Sequence, residues 1–272
     1  MPPVFRCVSP PSLTARDVNY LCWMILMPPD AIPAASTRAM APRAGLLTSA
    51  VVTLTAILGL HLLVLPSAMG ALASVTLFVL GVGFLWRQLP HHYPHPRFGL
   101  CNAVTLLRAG LGTTLLTPLL APGLSDDVLN GWGVALVAAT ALSLDGVDGF
   151  LARRSGLSSQ FGARFDMEVD AALALLLSML ALADGSVGPV VLLLGVMRYG
   201  FVAASWSLPW MAAPLPDRFG RKVVCVIQIA ALIALQAPVV SGGIALSVTL
   251  GAALALIWSF GRDILWLWRH RT

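Results

Sequence analysis

Four aspartates stand at helical offsets within residues 145–170, DGVDGFLARRSGLSSQFGARFDMEVD. Asp145 and Asp148 are three residues apart. Asp166 and Asp170 are four apart, with Gly162 four residues before Asp166 on the same helical face. Two helices joined by a short turn at 154–160 would bring the two carboxylate pairs together. An all-oxygen cluster of that kind repels itself unless hard divalent cations, Mg²⁺ or Mn²⁺, sit inside it. A two-metal carboxylate site suits phosphoryl transfer, where the cations bridge phosphate oxygens and neutralise charge on the leaving group. Glu168 points off this face and is not part of the set. Helix-end acids that only cap and pair would not require four inward carboxylates and two glycines.

The elements that must position these acids are apolar. The chain has 272 residues, 58% hydrophobic and only 11% charged, with a mean hydropathy of +0.85. A soluble domain would carry roughly twice that charge, so the composition predicts an all-α, polytopic membrane bundle. Ionisable residues in such a setting are costly and point to function. The net charge of +5 does not call for nucleic acid, because basic residues retained on the cytoplasmic side of a membrane protein raise its charge in the same way. Cys7, Cys22, Cys101 and Cys225 show no metal or redox spacing, and Cys101 and Cys225 read as small apolar residues.

Residues 1–45 are rich in Pro, Ala and Arg and read as a poorly ordered tail, with Met27 and Met40 as alternative starts. Eight spans are then predicted, at 46–65, 67–86, 100–120, 131–149, 162–183, 189–208, 223–238 and 244–260; most approach the ~20 residues needed to cross hydrocarbon. Residues 46–99 form two extra spans and an interfacial linker, and 100–272 form the core. His61 is expected to be packed and hydrogen-bonded. His91, His92 and His95 lie in a proline-broken segment and read as interfacial rather than metal-binding. The third span opens with Asn102, Thr105 and Arg108 on one face, and a charge at Arg108 needs an anionic partner. Arg198 lies within the sixth span, and Arg221 and Lys222 stand where the seventh begins. With the N-terminus inside, all 17 Lys and Arg fall in cytoplasmic segments or spans, and the outer turns carry Asp126, Asp127 and Asp184. This asymmetry places the aspartate cluster at the cytoplasmic side.

The pattern D-x-x-D-G-x-x-A-R, eight residues, then G-x-x-x-D-x-x-x-D resembles the signature of the CDP-alcohol phosphatidyltransferases. It is met here by Asp145, Asp148, Gly149, Ala152, Arg153, Gly162, Asp166 and Asp170, without departure in residue or spacing. The family's first core helix begins N-x-x-T-x-x-R, matched by Asn102, Thr105 and Arg108; Cys101 stands where a proline is usual. The resemblance covers about residues 100–262. It implies a membrane enzyme of phospholipid synthesis that transfers a phosphatidyl group from CDP-diacylglycerol to an alcohol and releases CMP. Two divalent cations, Mg²⁺ or Mn²⁺, would be held by Asp145, Asp148 and Asp166 and by Asp145, Asp166 and Asp170, with Asp170 as general base. Asn102, Thr105, Arg108, Gly149, Ala152, Arg153, Ser159 and Gly162 would bind the cytidine nucleotide, the small residues leaving room for its ring and Arg153 pairing with phosphate.

The shared motif reads only the donor. Glycerol 3-phosphate, inositol or its phosphate, serine, choline and a second lipid all serve as acceptors in the family. Arg198, Arg221 and Lys222 form the expected pocket for an anionic acceptor, with glycerol 3-phosphate the first choice. Dimers are common among relatives, so a homodimer is an expected state. Membrane prenyltransferases also carry two Asp-rich motifs, but on widely separated helices, whereas Asp145 and Asp166 are 21 residues apart. An ion-coupled transporter would place its charges at the midplane on broken helices, within inverted repeats.

Overall fold

In the computed structural model, the described residues are 40–121, 128–155, 157, 159–213, 215–216 and 218–271. They contain no strand. The helices are α1 (Met40–Leu63), α2 (Ala68–His92), α3 (Leu100–Thr114), α4 (Leu116–Leu120), α5 (Val128–Ser155), α6 (Gln160–Ala183), α7 (Leu192–Ser207), α8 (Phe219–Ala234) and α9 (Gly242–Arg269). Short 3-10 turns at Pro189–Val191 and Pro209–Ala212 flank α7. The expected tail lies outside the described residues through residue 39, as do Asp126 and Asp127; α1 begins at Met40, six residues earlier than the span expected there.

Among the described residues, six stretches are long and apolar enough to cross a membrane: Pro42–Leu63, Ala68–His92, Leu100–Leu120, Gly131–Leu151, Pro189–Ser207 and Gly242–Arg269. Two of the eight expected spans fall short of that description. Helix α8 has only 16 residues, and α6 carries Arg164, Asp166, Glu168 and Asp170 in its first half. The outer surface is oily, with Leu63 86% exposed, Leu62 81%, Phe219 81% and Trp258 72%. A soluble protein would not tolerate so continuous an apolar surface. This is an integral membrane bundle.

Helix α3 is the central element, packed against α1, α2, α5 and α6. Of its span 61% is buried, against 17–33% in the other five. Small residues make that possible. A Cβ added at Gly110 would collide with Thr53 of α1, and one at Gly112 would meet Leu173 of α6 at 3.0 Å, so these backbones approach as closely as small-residue membrane interfaces allow. The helix breaks after Thr114 because Pro118 has no N–H to offer the Thr114 carbonyl.

The α1–α2 hairpin is tied to this centre through polar groups. Ser67 caps α2 by accepting from the Gly70 N–H at 3.1 Å. Buried His61 bonds the Ile57 carbonyl at 2.9 Å through Nδ1 and the Thr117 hydroxyl at 3.0 Å through Nε2. Ser74 Oγ lies 2.9 Å from the Thr113 carbonyl. His61 is packed and hydrogen-bonded, as its place in an otherwise neutral span suggests.

Several helices overrun the limits expected from sequence. Helix α2 continues through Pro90 to His92, so only 93–99 remain as a linker. Helix α5 runs to Ser155, which puts Asp145 and Asp148 inside it instead of at its end. Helix α9 reaches Arg269 and carries Arg262, Asp263 and both terminal tryptophans, Trp266 and Trp268. In each case a charge or proline suggested an end; in α5 and α9 a neighbouring helix supplies the partner for the charge, Arg108 for Asp145 and Asp148 and Arg221 for Asp263.

Candidate active site

The site lies where α3, α5 and α6 meet. Helix α5 presents Asp145 and Asp148, and α6 presents Asp166 and Asp170. The short connection between them closes on Ser159, whose hydroxyl accepts from the Gly162 N–H at 3.0 Å and caps α6. The two carboxylate pairs therefore face one another across a helical hairpin.

Arg108 of α3 stands between them. Its guanidinium is 1% exposed and reaches all four acids: Nη1 is 3.1 Å from Asp145, 2.9 Å from Asp148 and 2.5 Å from Asp166, and Nη2 pairs with Asp170. Nε donates to the Ala141 carbonyl at 3.1 Å. A charge at this depth requires countercharge, and the planar fork of arginine can serve several carboxylates at once. One guanidinium against four carboxylates leaves three net negative charges. That surplus, together with an all-oxygen donor set, fits hard divalent cations. Oxygens of Asp145, Asp148 and Asp166 lie within 4.8 Å of one another; these are the three expected to hold one ion. Among the described residues no other cluster of His, Cys, Asp or Glu has such spacing, the His91–His95 group included.

Beside the acids is a cavity of about 230 Å³ lined by Cys101, Asn102, Thr105, Asp148, Gly149, Leu157, Ser159, Gly162, Ala163 and Asp166. Five of the residues expected to bind nucleotide, Asn102, Thr105, Gly149, Ser159 and Gly162, come together here. Thr105 Oγ1 lies 3.1 Å from Asp148 Oδ2, which couples the cavity wall to the acids. Gly162 is required by space, since a Cβ there would sit 2.8 Å from Asn102 Oδ1. Arg108 is not on the cavity wall; its guanidinium is taken up by the acids. Ala152 and Arg153 belong to the last turns of α5, where their side chains lie outside the described residues.

Tyr93 was not singled out by the sequence, because it sits among prolines and histidines in the linker. Asn102 Nδ2 donates to its hydroxyl at 3.0 Å and to the Phe98 carbonyl at 2.5 Å. The Tyr93 hydroxyl in turn lies 2.8 Å from the carbonyls of Arg97 and Phe98. Burial pushes its phenol up to about 12, so it stays protonated and fixes the linker against α3.

Two of the three cations of the expected acceptor pocket, Arg198 and Arg221, are paired with carboxylates outside the four-aspartate set. Arg198 pairs with Glu168 at 2.5 Å, which holds Glu168 away from the Arg108 set, as its helical phase implies. Arg221 pairs with Asp263 of α9 at 2.9 Å and donates to the Pro216 carbonyl at 3.2 Å. Lys222 is exposed in the first turn of α8. Asp263 escaped notice in the sequence because its span was expected to end at residue 260.

The fold and site define a helical membrane protein with an acidic centre, able by its donor set to hold a hard cation, beside a small polar cavity. A family model described as CDP-alcohol phosphatidyltransferase matches residues 98–259, and the chain belongs to that family. The family is a phosphotransferase class: its members transfer a phosphatidyl group from a CDP-alcohol to an alcohol acceptor and use divalent metals. Helices α1 and α2 precede the matched region. No curated protein and no solved structure matched the chain.

Proposed function

We propose that this chain transfers the phosphatidyl group of CDP-diacylglycerol to the hydroxyl of a small phosphorylated alcohol, with release of CMP, in phospholipid synthesis. The observation that carries the reading is the cavity lined by Asn102, Thr105, Gly149, Ser159 and Gly162, which meets the acid cluster at Asp148 and Asp166. A cytidine held there has its diphosphate directed at the carboxylates. Two divalent cations held by Asp145, Asp148, Asp166 and Asp170 would neutralise the diphosphate and the departing CMP.

The chain's own groups divide the remaining work. Arg153 pairs with phosphate. Asp170 takes the proton of the acceptor hydroxyl as its oxygen bonds to the phosphorus on the diacylglycerol side, and the bond from that phosphorus to the CMP oxygen breaks. Arg108 holds the four carboxylates in register while phosphate and acceptor arrive. We place the site at the cytoplasmic face of the cell's inner membrane, and the distribution of Lys and Arg along the chain supports the cytoplasmic side.

Glycerol 3-phosphate is the acceptor we favour. Arg198 and Arg221 are 33% and 32% exposed, and each guanidinium has more donors than its present partners occupy. Arg198→Ala and Arg221→Ala should each raise the KM for glycerol 3-phosphate about tenfold or more, the cost of one charge-assisted contact, and leave the KM for CDP-diacylglycerol almost unchanged. CMP release measured against a panel of acceptors tests this. A wild-type preference for choline, or an effect of both variants on the donor alone, excludes the anionic acceptor. Separately, Gly162→Val should raise the KM for CDP-diacylglycerol by about tenfold or more, because its side chain displaces Asn102 from the cavity wall. An unchanged donor KM would remove the nucleotide from this cavity.

A further inference from the structure

A second cavity, an apolar groove of about 330 Å³, runs between α2, α3 and α6. Gly81 and Phe84 come from α2, Leu106 and Ala109 from α3, and Phe165 and Leu173 from α6. Leu106 and Ala109 bracket Arg108 in sequence, and Phe165 immediately precedes Asp166, so the groove follows the same turns of α3 and α6 that carry the charged centre. Its wall offers almost nothing to a polar ligand. Thr113 bonds the Gly110 carbonyl at 2.7 Å, and Glu168 is held by Arg198. Helix α2 is a candidate span, so the groove lies at hydrocarbon depth, where the occupant at hand is a lipid chain.

We propose that this groove seats an acyl chain of the diacylglycerol donor, with α2 acting as a wall that selects for chain length. The donor joins an apolar tail to a diphosphate, and the groove and acid centre lie side by side on α3 and α6 in that order of chemistry. Helix α2 lies outside the region matched by the family, so the wall belongs to this chain's extra hairpin. The inference rests on the donor proposed above.

Gly81 gives the test. A Cβ there meets nothing within 4 Å, so Gly81→Phe puts a ring into the groove without disturbing helix contacts. Gly83, also with nothing within 4 Å of an added Cβ and absent from the groove wall, takes the same ring as a control. CMP release is compared for dioleoyl and dihexanoyl CDP-diacylglycerol. The dioleoyl-to-dihexanoyl ratio of kcat/KM should fall about tenfold in Gly81→Phe, the factor expected for roughly two buried methylenes, less in Gly81→Leu, and not at all in Gly83→Phe. A donor with a diazirine in its acyl chain should label residues 77–85 in the wild type and lose that labelling in Gly81→Phe. An unchanged ratio, or labelling of α2 that persists in Gly81→Phe, overturns the proposal. If the wild type releases no CMP from either donor, the donor reading fails, and the photolabel alone still decides whether an acyl chain occupies the groove.

Discussion

Asp145→Asn, Asp148→Asn, Asp166→Asn and Asp170→Asn should each lower CMP release by about a thousandfold, the combined scale of losing charge stabilisation and proton transfer. The four should behave alike because they act as one unit around a shared centre. Asp170 would lose the base itself, and the other three would lose part of the charge that holds divalent cations. EDTA should reproduce the loss in the wild type, and Mg²⁺ or Mn²⁺ should reverse it. Glu168→Gln is the control: it removes a carboxylate from the same helix but from Arg198, not from Arg108, and most activity should remain. Full turnover in metal-free protein would contradict the assignment. So would a Glu168→Gln variant as inactive as Asp166→Asn.

Arg108→Gln should be the most destabilising single change among the polar residues of the bundle. Removing one partner of a buried ionic network costs about 3–5 kcal/mol. Three of its carboxylates are about one-third exposed, at 34%, 32% and 34%, and solvent screening places the effect toward the lower end of that range. Arg108→Lys should lose less, since it keeps the charge but not the fork that spans four acids. The midpoint of thermal unfolding in detergent reads both variants. Mg²⁺ should raise the midpoint more for Arg108→Gln than for the wild type, because a bound cation then replaces the missing countercharge and stabilises the folded state by mass action. Equal midpoints for wild type and Arg108→Gln would show that the guanidinium does not hold the acids together.

The chain by itself determined the class of protein and the heart of the site. Its low charge and long apolar runs require a membrane bundle, and the offsets of Asp145, Asp148, Gly162, Asp166 and Asp170 place four acids on facing helices, because helical periodicity is a local property. The same periodicity put Asn102, Thr105 and Arg108 on one face of α3, and turned Glu168 away. Tertiary structure decided what each charge touches. Arg108 meets acids 37 to 62 residues away in sequence, Arg221 meets Asp263, and Arg198 takes Glu168. It also decided where helices stop. A charged or proline residue looks like an end when read locally. Yet α9 carries Asp263 past that point because Arg221 neutralises it, and α5 carries Asp145 and Asp148 within the helix because Arg108 lies among them. The free energy of burying an ion is set by its partner, and that partner comes from another helix.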